Sequence, residues 1–331
     1  MINRRNLMKT GLAGGAVLAM PWVARAAPIP VKFAHAAALV HPGHIIATSF
    51  VEALNEIVPG AFDVQIFPNR QLGDDKQNLE SVIAGTLEMS NSSGILFPLV
   101  TGRPALDAFQ LPFLIRDYDH FAKICENEVV DEIHADYGEA GLVPLATADI
   151  GQRHFLSVKE PVKTVADFAG LKTRIVPVPL HKAIWEAVGV SPVGLPYGEV
   201  YGALETKVID AVEINVSSML GENLWEVGKY FTLTGHYPWH STTVMNKAVF
   251  DKLPAELQAA VREAGKRSVT ATLAYAKEQD STGRDELKAK GVEIAPLEGL
   301  EEMQAKVAPI VGQWSEKSEL IGKFVEVARS T

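Results

Sequence analysis

Arg174 stands within the run Leu171 to Val176, where Leu171, Thr173, Ile175 and Val176 are apolar or β-branched, the composition of a buried strand. A guanidinium buried there without a partner would cost several kcal/mol, so something anionic must meet it. Two partners fit. One is an internal carboxylate such as Glu213 or Asp210; the other is the carboxylate of a bound ligand, which the planar fork of arginine grips through two parallel hydrogen bonds. His35, His41 and His44 raise a different chemistry, because imidazoles ligate zinc and His41 and His44 are one helical turn apart. The intervening Pro42-Gly43 marks a loop-to-helix junction with no fixed common face, and no acidic ligand accompanies the group. A structural or ligand hydrogen-bonding role is therefore expected, and no metal. His236 and His240 flank Tyr237-Pro238-Trp239, which reads as a crossover between two halves; Trp239 there is either core or one wall of a cleft.

The segments that must position these groups follow a regular order. Val31 to Ala36 reads as a buried strand, and His41-Pro-Gly-His44 introduces a helix with Ile46, Phe50, Leu54 and Ile57 on one face, stopped by Pro59-Gly60. Phe62 to Phe67 alternates as a strand, Asp74 to Ala84 is amphipathic and closed by Gly85, and Thr86 to Ser93 is a third strand running into a polar loop. This βαβαβ series predicts an α/β domain with a mostly parallel sheet. Ligands of such sheets sit beyond the carboxyl ends of the strands, which singles out His35 after the first strand and Ser92-Ser93-Gly94 after the third. From Ala255 to about Ala289 the chain is rich in helix formers and free of proline, a length that would brace two lobes. No repeat or polar linker separates the halves, so the domains are expected to interleave through several crossovers.

Composition excludes several functions. The chain has 331 residues, 47% of them hydrophobic, and a formal charge of -9 at pH 7, the opposite of the basic surface that nucleic acid requires. Cys125 is its one cysteine, so no internal disulfide, CxxC redox pair or cysteine-rich metal site can form. Dinucleotide, phosphate-loop, nucleophile-elbow and zincin motifs are missing, and no cofactor is expected. Residues 1–26 combine a charged start, a short apolar run from Thr10 to Val23 and Ala24-Arg25-Ala26, which reads as a cleavable export signal. Arg4-Arg5 fits the twin-arginine type as well as an ordinary secretory signal. No later segment is long and apolar enough for a membrane helix.

The G-L-K-T-R run ending at Arg174, the E-V-Y-G-A-L-E-T-K run from Glu199 and the D-A-V-E strand from Asp210 resemble the periplasmic solute receptors of TRAP (tripartite ATP-independent periplasmic) transporters, the DctP-type family. F-A-H at Phe33, H-P-G-H at His41, Q-L-G-D-D at Gln71, A-G-T-L-E-M at Ala84 and L-P-F-L at Leu111 extend the likeness over the mature chain. The resemblance implies a two-lobed α/β fold with a ligand cleft between the lobes and a long helix crossing both. On that pattern residues 27–150 and 239–275 form lobe I, and 151–238 and 276–331 form lobe II. It implies a non-enzymatic receptor that captures a small organic acid and delivers it to a TRAP membrane permease driven by an ion gradient. An exported enzyme acting on an organic acid is the alternative. Arg174 falls at the carboxylate clamp of the family and Arg153 at or beside a second polar position. Their other readings are an internal salt bridge for Arg174 and a solvated charge for Arg153. Tyr197 takes a bulky-contact position. Where the family commonly places an asparagine after D-A-V-E, this chain has Ile214, and strand alternation points Asn215 to the other face. With Tyr197 and Trp239, Ile214 tilts the expected ligand towards an apolar or aromatic monocarboxylate. A sugar acid is the other option, its hydroxyls served by His35, Ser92, Ser93 and Asn215.

Overall fold

The computed structural model describes residues 27–331; the export-signal reading of residues 1–26 lies outside them. Among the described residues eleven strands form two sheets. They are β1 (Ile29–His35), β2 (Phe62–Phe67), β3 (Met89–Ser93), β4 (Leu142–Gln152), β5 (His154–Ser157), β6 (Lys172–Ile175), β7 (Ser191–Gly194), β8 (Ala211–Ile214), β9 (Tyr230–Leu233), β10 (Pro238–Asn246) and β11 (Glu293–Pro296). The first sheet has the order β2-β1-β3-β10-β4 and the second β11-β9-β5-β8-β6-β7. The parallel series expected at the start holds for β1, β2 and β3, and β10 then enters antiparallel between β3 and β4. Each sheet thus forms its own lobe, and the expected two-lobed α/β class is the one observed.

Helix Pro42–Ile57 shows how sequence period becomes packing. Ile46, Phe50 and Leu54 recur every fourth residue and are buried, and the Phe50 ring meets Phe33 of β1 edge-on at 5.8 Å. His41 caps this helix, its Nδ1 accepting the Gly43 N–H at 2.9 Å. Helix Asp75–Ile83 begins with a capping box between Asp74 and Gln77. Both helix starts follow directly on the carboxyl ends of β1 and β2, where backbone turns bring polar side chains over the edge of the sheet.

The chain passes between the lobes at close quarters. Only Arg153 separates β4 in the first sheet from β5 in the second, and residues 234–237 carry the chain back from β9 to β10. The two crossings run side by side, tied by the Arg153 N–H to the Tyr237 carbonyl at 3.0 Å. The third link is helix Ala255–Ala289, whose 35 residues pack on helix Pro42–Ile57 and β4 and then on helix Val216–Gly221. At 1.5 Å per residue it is about 52 Å long, enough to brace both lobes.

The last helices divide differently from the sequence expectation. Leu300–Ser315 packs on Pro179–Val188 in the second lobe, but Glu319–Ser330 returns to the first, against Pro104–Gln110, Tyr118–Cys125 and Glu128–Asp136. Grouping all of 276–331 with lobe II therefore fails for this helix. The physical reason is its apolar face of Ile321, Phe324, Val325 and Ala328, with the Phe324 ring 4.6 Å from Phe109.

Close approach of the long helix to β4 needs a residue without a Cβ. At Gly265 an added Cβ would lie 2.4 Å from the Leu145 carbonyl oxygen, a backbone atom that cannot swing aside. Helix propensity alone favours alanine over glycine by about 1 kcal/mol. Gly265→Ala is nonetheless expected to destabilise the protein by about 1–3 kcal/mol through overpacking. Urea unfolding reads the sign directly: a stabilised variant would show that the helix can lift off the sheet at no cost.

Candidate functional site

Between the sheets lies a cavity of about 500 Å³. From the first lobe His35 and Ala36 at the end of β1, Asp74 and Asp75 at the helix start, and Ser92 and Ser93 at the end of β3 face it. From the second come Arg174 and the loop around Tyr197, while Arg153 and Trp239 face it from the crossings. Carboxyl ends of strands supply much of this wall, as the parallel part of the fold requires. Of the residues singled out in the sequence, His35, Ser92, Ser93, Arg153, Arg174, Tyr197 and Trp239 line the cavity. Ile214 and Asn215 do not. Ile214 is buried in the apolar cluster of the second lobe with Leu156, Val212 and Val216. Asn215 turns its amide to the Ile150 carbonyl and Ser217 Oγ, both at 3.0 Å, and packs over Gly151. The position read as a ligand contact is a core position in this chain.

The two arginines divide the available charge. Arg153 is only 1% exposed, and its Nε donates to Glu213 Oε2 at 2.6 Å while Nη2 donates to the Glu213 carbonyl. Its guanidinium also lies 4.1 Å from the centre of the Trp239 ring. Burial opposes ionisation of Glu213, but the Arg153 charge, with His236 and His181 beside it, holds the carboxyl well below the usual range. The solvated-charge reading of Arg153 is therefore incorrect. Asp210, the other internal partner considered for Arg174, binds Lys159 at 3.1 Å.

Among the described residues Arg174, 2% exposed, is left with one hydrogen bond, from Nε to the Leu195 carbonyl at 3.0 Å, and no ion pair. Burial lowers its pKa to about 10 against the opposing pull of Glu213, so it remains a cation at neutral pH. The histidines add no charge: burial lowers both His35 and His41 to about 3, His44 adding to the effect at His35 and His35 at His41. His35 Nε2 meets His44 Nδ1 at 3.0 Å and His41 Nε2 meets Ser218 Oγ at 3.2 Å, the hydrogen-bonding roles expected of them. A buried cation without a carboxylate, facing a cavity, has the chemistry to accept an anionic oxygen pair as its partner.

Several lining groups were missed. Asp74 and Asp75 were legible as a helix start following a strand end, which is also where ligands sit, yet no role was drawn from them. Asn91, Ser218 and Ser241 carry no such signal, because their placement depends on partners far away in sequence. The lobes also meet across the cleft: Arg70 binds Glu222 through two bonds of 3.0 and 2.9 Å, and the Gly198 N–H reaches Asp74 Oδ2 at 3.3 Å. The cleft is closed.

Removing one member of the Arg153–Glu213 pair strands a buried charge. Glu213→Gln should lower stability at pH 7 by about 3–5 kcal/mol in urea unfolding. Because the folded-state pKa of Glu213 is depressed, its contribution is present above the ordinary glutamate value of 4.5 and is lost as pH falls below it. The gap between wild type and variant should therefore close on acidification below about 4.5; a gap constant with pH would mean that the charge of Glu213 does not carry the effect.

Comparison with known proteins agrees with this architecture. Residues 33–317 match the family described as bacterial extracellular solute-binding protein, family 7. The C4-dicarboxylate-binding periplasmic protein DctP of Rhodobacter capsulatus is 32% identical over 292 residues, 88% of this chain and 87% of that protein. The 2,3-diketo-L-gulonate-binding periplasmic protein YiaO of Escherichia coli is 31% identical over 264 residues, covering 80% of each. A TRAP periplasmic solute-binding protein of Bradyrhizobium sp. BTAi1, crystallised with galacturonate, superposes with a TM-score of 0.86 at 30% identity, over 91% of this chain and all of that one. The chain belongs to this family, the DctP-type periplasmic solute-binding proteins of TRAP transporters.

Proposed function

We propose that this receptor captures a sugar acid, a monocarboxylate bearing several hydroxyls, and presents it to a TRAP permease for uptake driven by an ion gradient. The observation that carries the reading is Arg174, a buried guanidinium with no carboxylate partner among the described residues, opening on a cavity that sets hydroxyl, amide and acidic groups among apolar ones such as Leu96, Ile150, Val176 and Trp239. Its fork would take the ligand carboxylate, while Ser92, Ser93 and Asn91 lie within the same cavity for the hydroxyls. The relative from Escherichia coli and the Bradyrhizobium structure carry sugar-acid ligands in their names, which supports the same class. The apolar or aromatic monocarboxylate favoured by the sequence loses one of its premises, since Ile214 lies in the core, while Tyr197 and Trp239 do line the cavity. Family membership also removes the ground for an exported enzyme, because the family consists of transport receptors. Export through the signal at residues 1–26 would place the chain in the periplasm.

The two lobes divide the work: Arg174 belongs to the second sheet and the hydroxyl wall to the first, so only the closed cleft completes the site. Ligand therefore favours closure to the extent that it binds the closed form better.

A thermal-shift panel of uronates, aldonates, C4-dicarboxylates and aromatic acids tests the ligand class. Sugar acids at a hundredfold excess over Kd should stabilise the protein by about 2.7 kcal/mol, and stabilisation by aromatic acids alone would reverse the assignment. Arg174→Ala should weaken binding by about 3–5 kcal/mol, and Arg174→Lys should fail to restore it because an ammonium cannot reproduce the fork. Near-normal affinity in a folded Arg174→Ala protein would remove the clamp. In small-angle scattering the ligand-saturated protein should show a smaller radius of gyration than ligand-free protein; identical curves would favour a preformed pocket.

A further inference from the structure

A second hollow, of about 480 Å³, shares no lining residue with the ligand cavity and lies between the last two helices and the loop before helix Tyr118–Cys125. Pro112, Phe113 and Leu114 of that loop give it an apolar floor, continued by Ala308 and Val311 of helix Leu300–Ser315. The polar residues lining it are Gln304, Arg116 and Arg329, and among the described residues no carboxylate does.

Both cations are left over by the rest of the molecule. Among the described residues four arginines form no ion pair: Arg116, Arg174, Arg262 and Arg329. Arg262 lies over the Phe250 ring at 4.8 Å and Arg174 faces the ligand cavity. The remaining two share the second hollow.

Their placement is fixed from behind by His120, which is only 3% exposed. Its Nδ1 accepts the Arg116 N–H at 3.1 Å, and its Nε2 donates to the carbonyl of Ala328, the neighbour of Arg329, at 3.0 Å. This pattern requires the neutral ring with its proton on Nε2, and burial together with the Arg116 charge lowers the pKa of His120 in keeping with it. The loop is held as well: Phe113 has a φ of 55°, left-handed backbone that a bulky residue keeps only where its surroundings impose it, and its N–H donates to the His236 carbonyl at 2.8 Å. Two guanidiniums brought to one hollow without a carboxylate repel each other, and an anion between them removes that cost. On a chain of charge -9 an anion is disfavoured over much of the surface, which makes this hollow a local exception.

We propose that the hollow is a second binding site, for a small amphiphilic anion: an apolar body ending in a carboxylate, sulfonate or phosphate. Arg116 and Arg329 take the charged oxygens, Gln304 adds an amide, and the apolar body lies on Leu114, Ala308 and Val311. The volume falls within the range of about 300–1,000 Å³ usual for small-molecule sites. The inference is independent of the sugar-acid reading.

Titration of the nitrogen-15-labelled mature chain with octane-1-sulfonate, followed by NMR, tests this. Its controls are octan-1-ol, which lacks the charge, and ethanesulfonate, which lacks the apolar body. Octane-1-sulfonate should shift the amide signals of Phe113, Leu114, Gln304 and Val311 saturably, and each control should bind at least about tenfold more weakly. Arg116→Gln and Arg329→Gln should each weaken octane-1-sulfonate about tenfold. Ala308→Phe, at an exposed helix position, should abolish its binding by filling the hollow. Shifts confined to the ligand cavity, at Ser92 and Tyr197, or no saturable shift at all, would overturn the site. Equal binding of octan-1-ol or of ethanesulfonate would overturn it too, as would unchanged affinity in the folded Arg116→Gln/Arg329→Gln double variant or in folded Ala308→Phe. Sedimentation with phosphatidylglycerol vesicles that depends on the same two arginines, without binding of octane-1-sulfonate, would reveal a membrane-surface contact instead and overturn the small-molecule site.

Discussion

The pairing of Arg153 with Glu213 governs what the cleft can do. Both groups are buried where the chain steps from one sheet to the other, and Arg153 is the single residue between β4 and β5. A buried charge must be matched, and once Glu213 is committed to Arg153 it is no longer available to Arg174. The nearby Asp210 is held by Lys159. One guanidinium is thereby closed off as part of the crossing, and the other is left poised for an anion from outside. Two arginines of similar burial acquire opposite roles through the allocation of one carboxylate.

Around that cation the lining is otherwise neutral or acidic. Imidazoles at His35 and His41 are kept uncharged by burial; His35 spends Nε2 on His44, and His41 spends both nitrogens, on Ser218 and a helix cap. The Lys76 ammonium sits with Glu80. A protein whose overall charge is -9 thus presents to a small acid one locally positive end and a wall of acceptors. On the proposed reading this electrostatic asymmetry would orient a monocarboxylate, because its charged end would have one favourable place and its hydroxyls the remainder.

Much of this was legible in the sequence wherever the signal is local. The 3.6-residue period of helix Pro42–Ile57, the proline-free run of Ala255–Ala289, and the strand alternation of Phe62 to Phe67 all appear as read. Arg174 stood out for a related reason, since a charge inside an apolar strand is costly unless it is matched, but the strand alone left an internal carboxylate and a ligand as alternatives. The partner of Arg153 was not legible, because β5 and β8 are adjacent only through sheet pairing between segments far apart in sequence. Ile214 failed for the same kind of reason. Alternation along β8 separates its faces, but whether a face meets the cleft or the core depends on what packs against it, and here Leu156, Val216 and Met219 do. The return of helix Glu319–Ser330 to the first lobe is likewise decided by a complementary surface around Phe109 rather than by its own period.

The distribution of apolar and polar contacts between the lobes explains how such a protein can both hold together and open. On the crossing side one continuous apolar cluster includes Phe109 and Phe121 from the first lobe and Phe155, Phe168 and Trp185 from the second, so separation there would expose large aromatic surfaces. At the cleft mouth the contacts are polar: Arg70 with Glu222, His41 with Ser218, and Gly198 with Asp74. The Arg70–Glu222 pair is partly solvent-exposed, at 28% and 13%, and pairs of that kind contribute about 1 kcal/mol or less. Water can replace such bonds when the mouth parts, at little net cost. The mouth contacts alone therefore bias closure weakly, and on the proposed reading a strong bias would come from a ligand bridging the two lobes. Occupancy and shape are coupled because the permanent contacts lie on one side of the cleft and the reversible ones on the other.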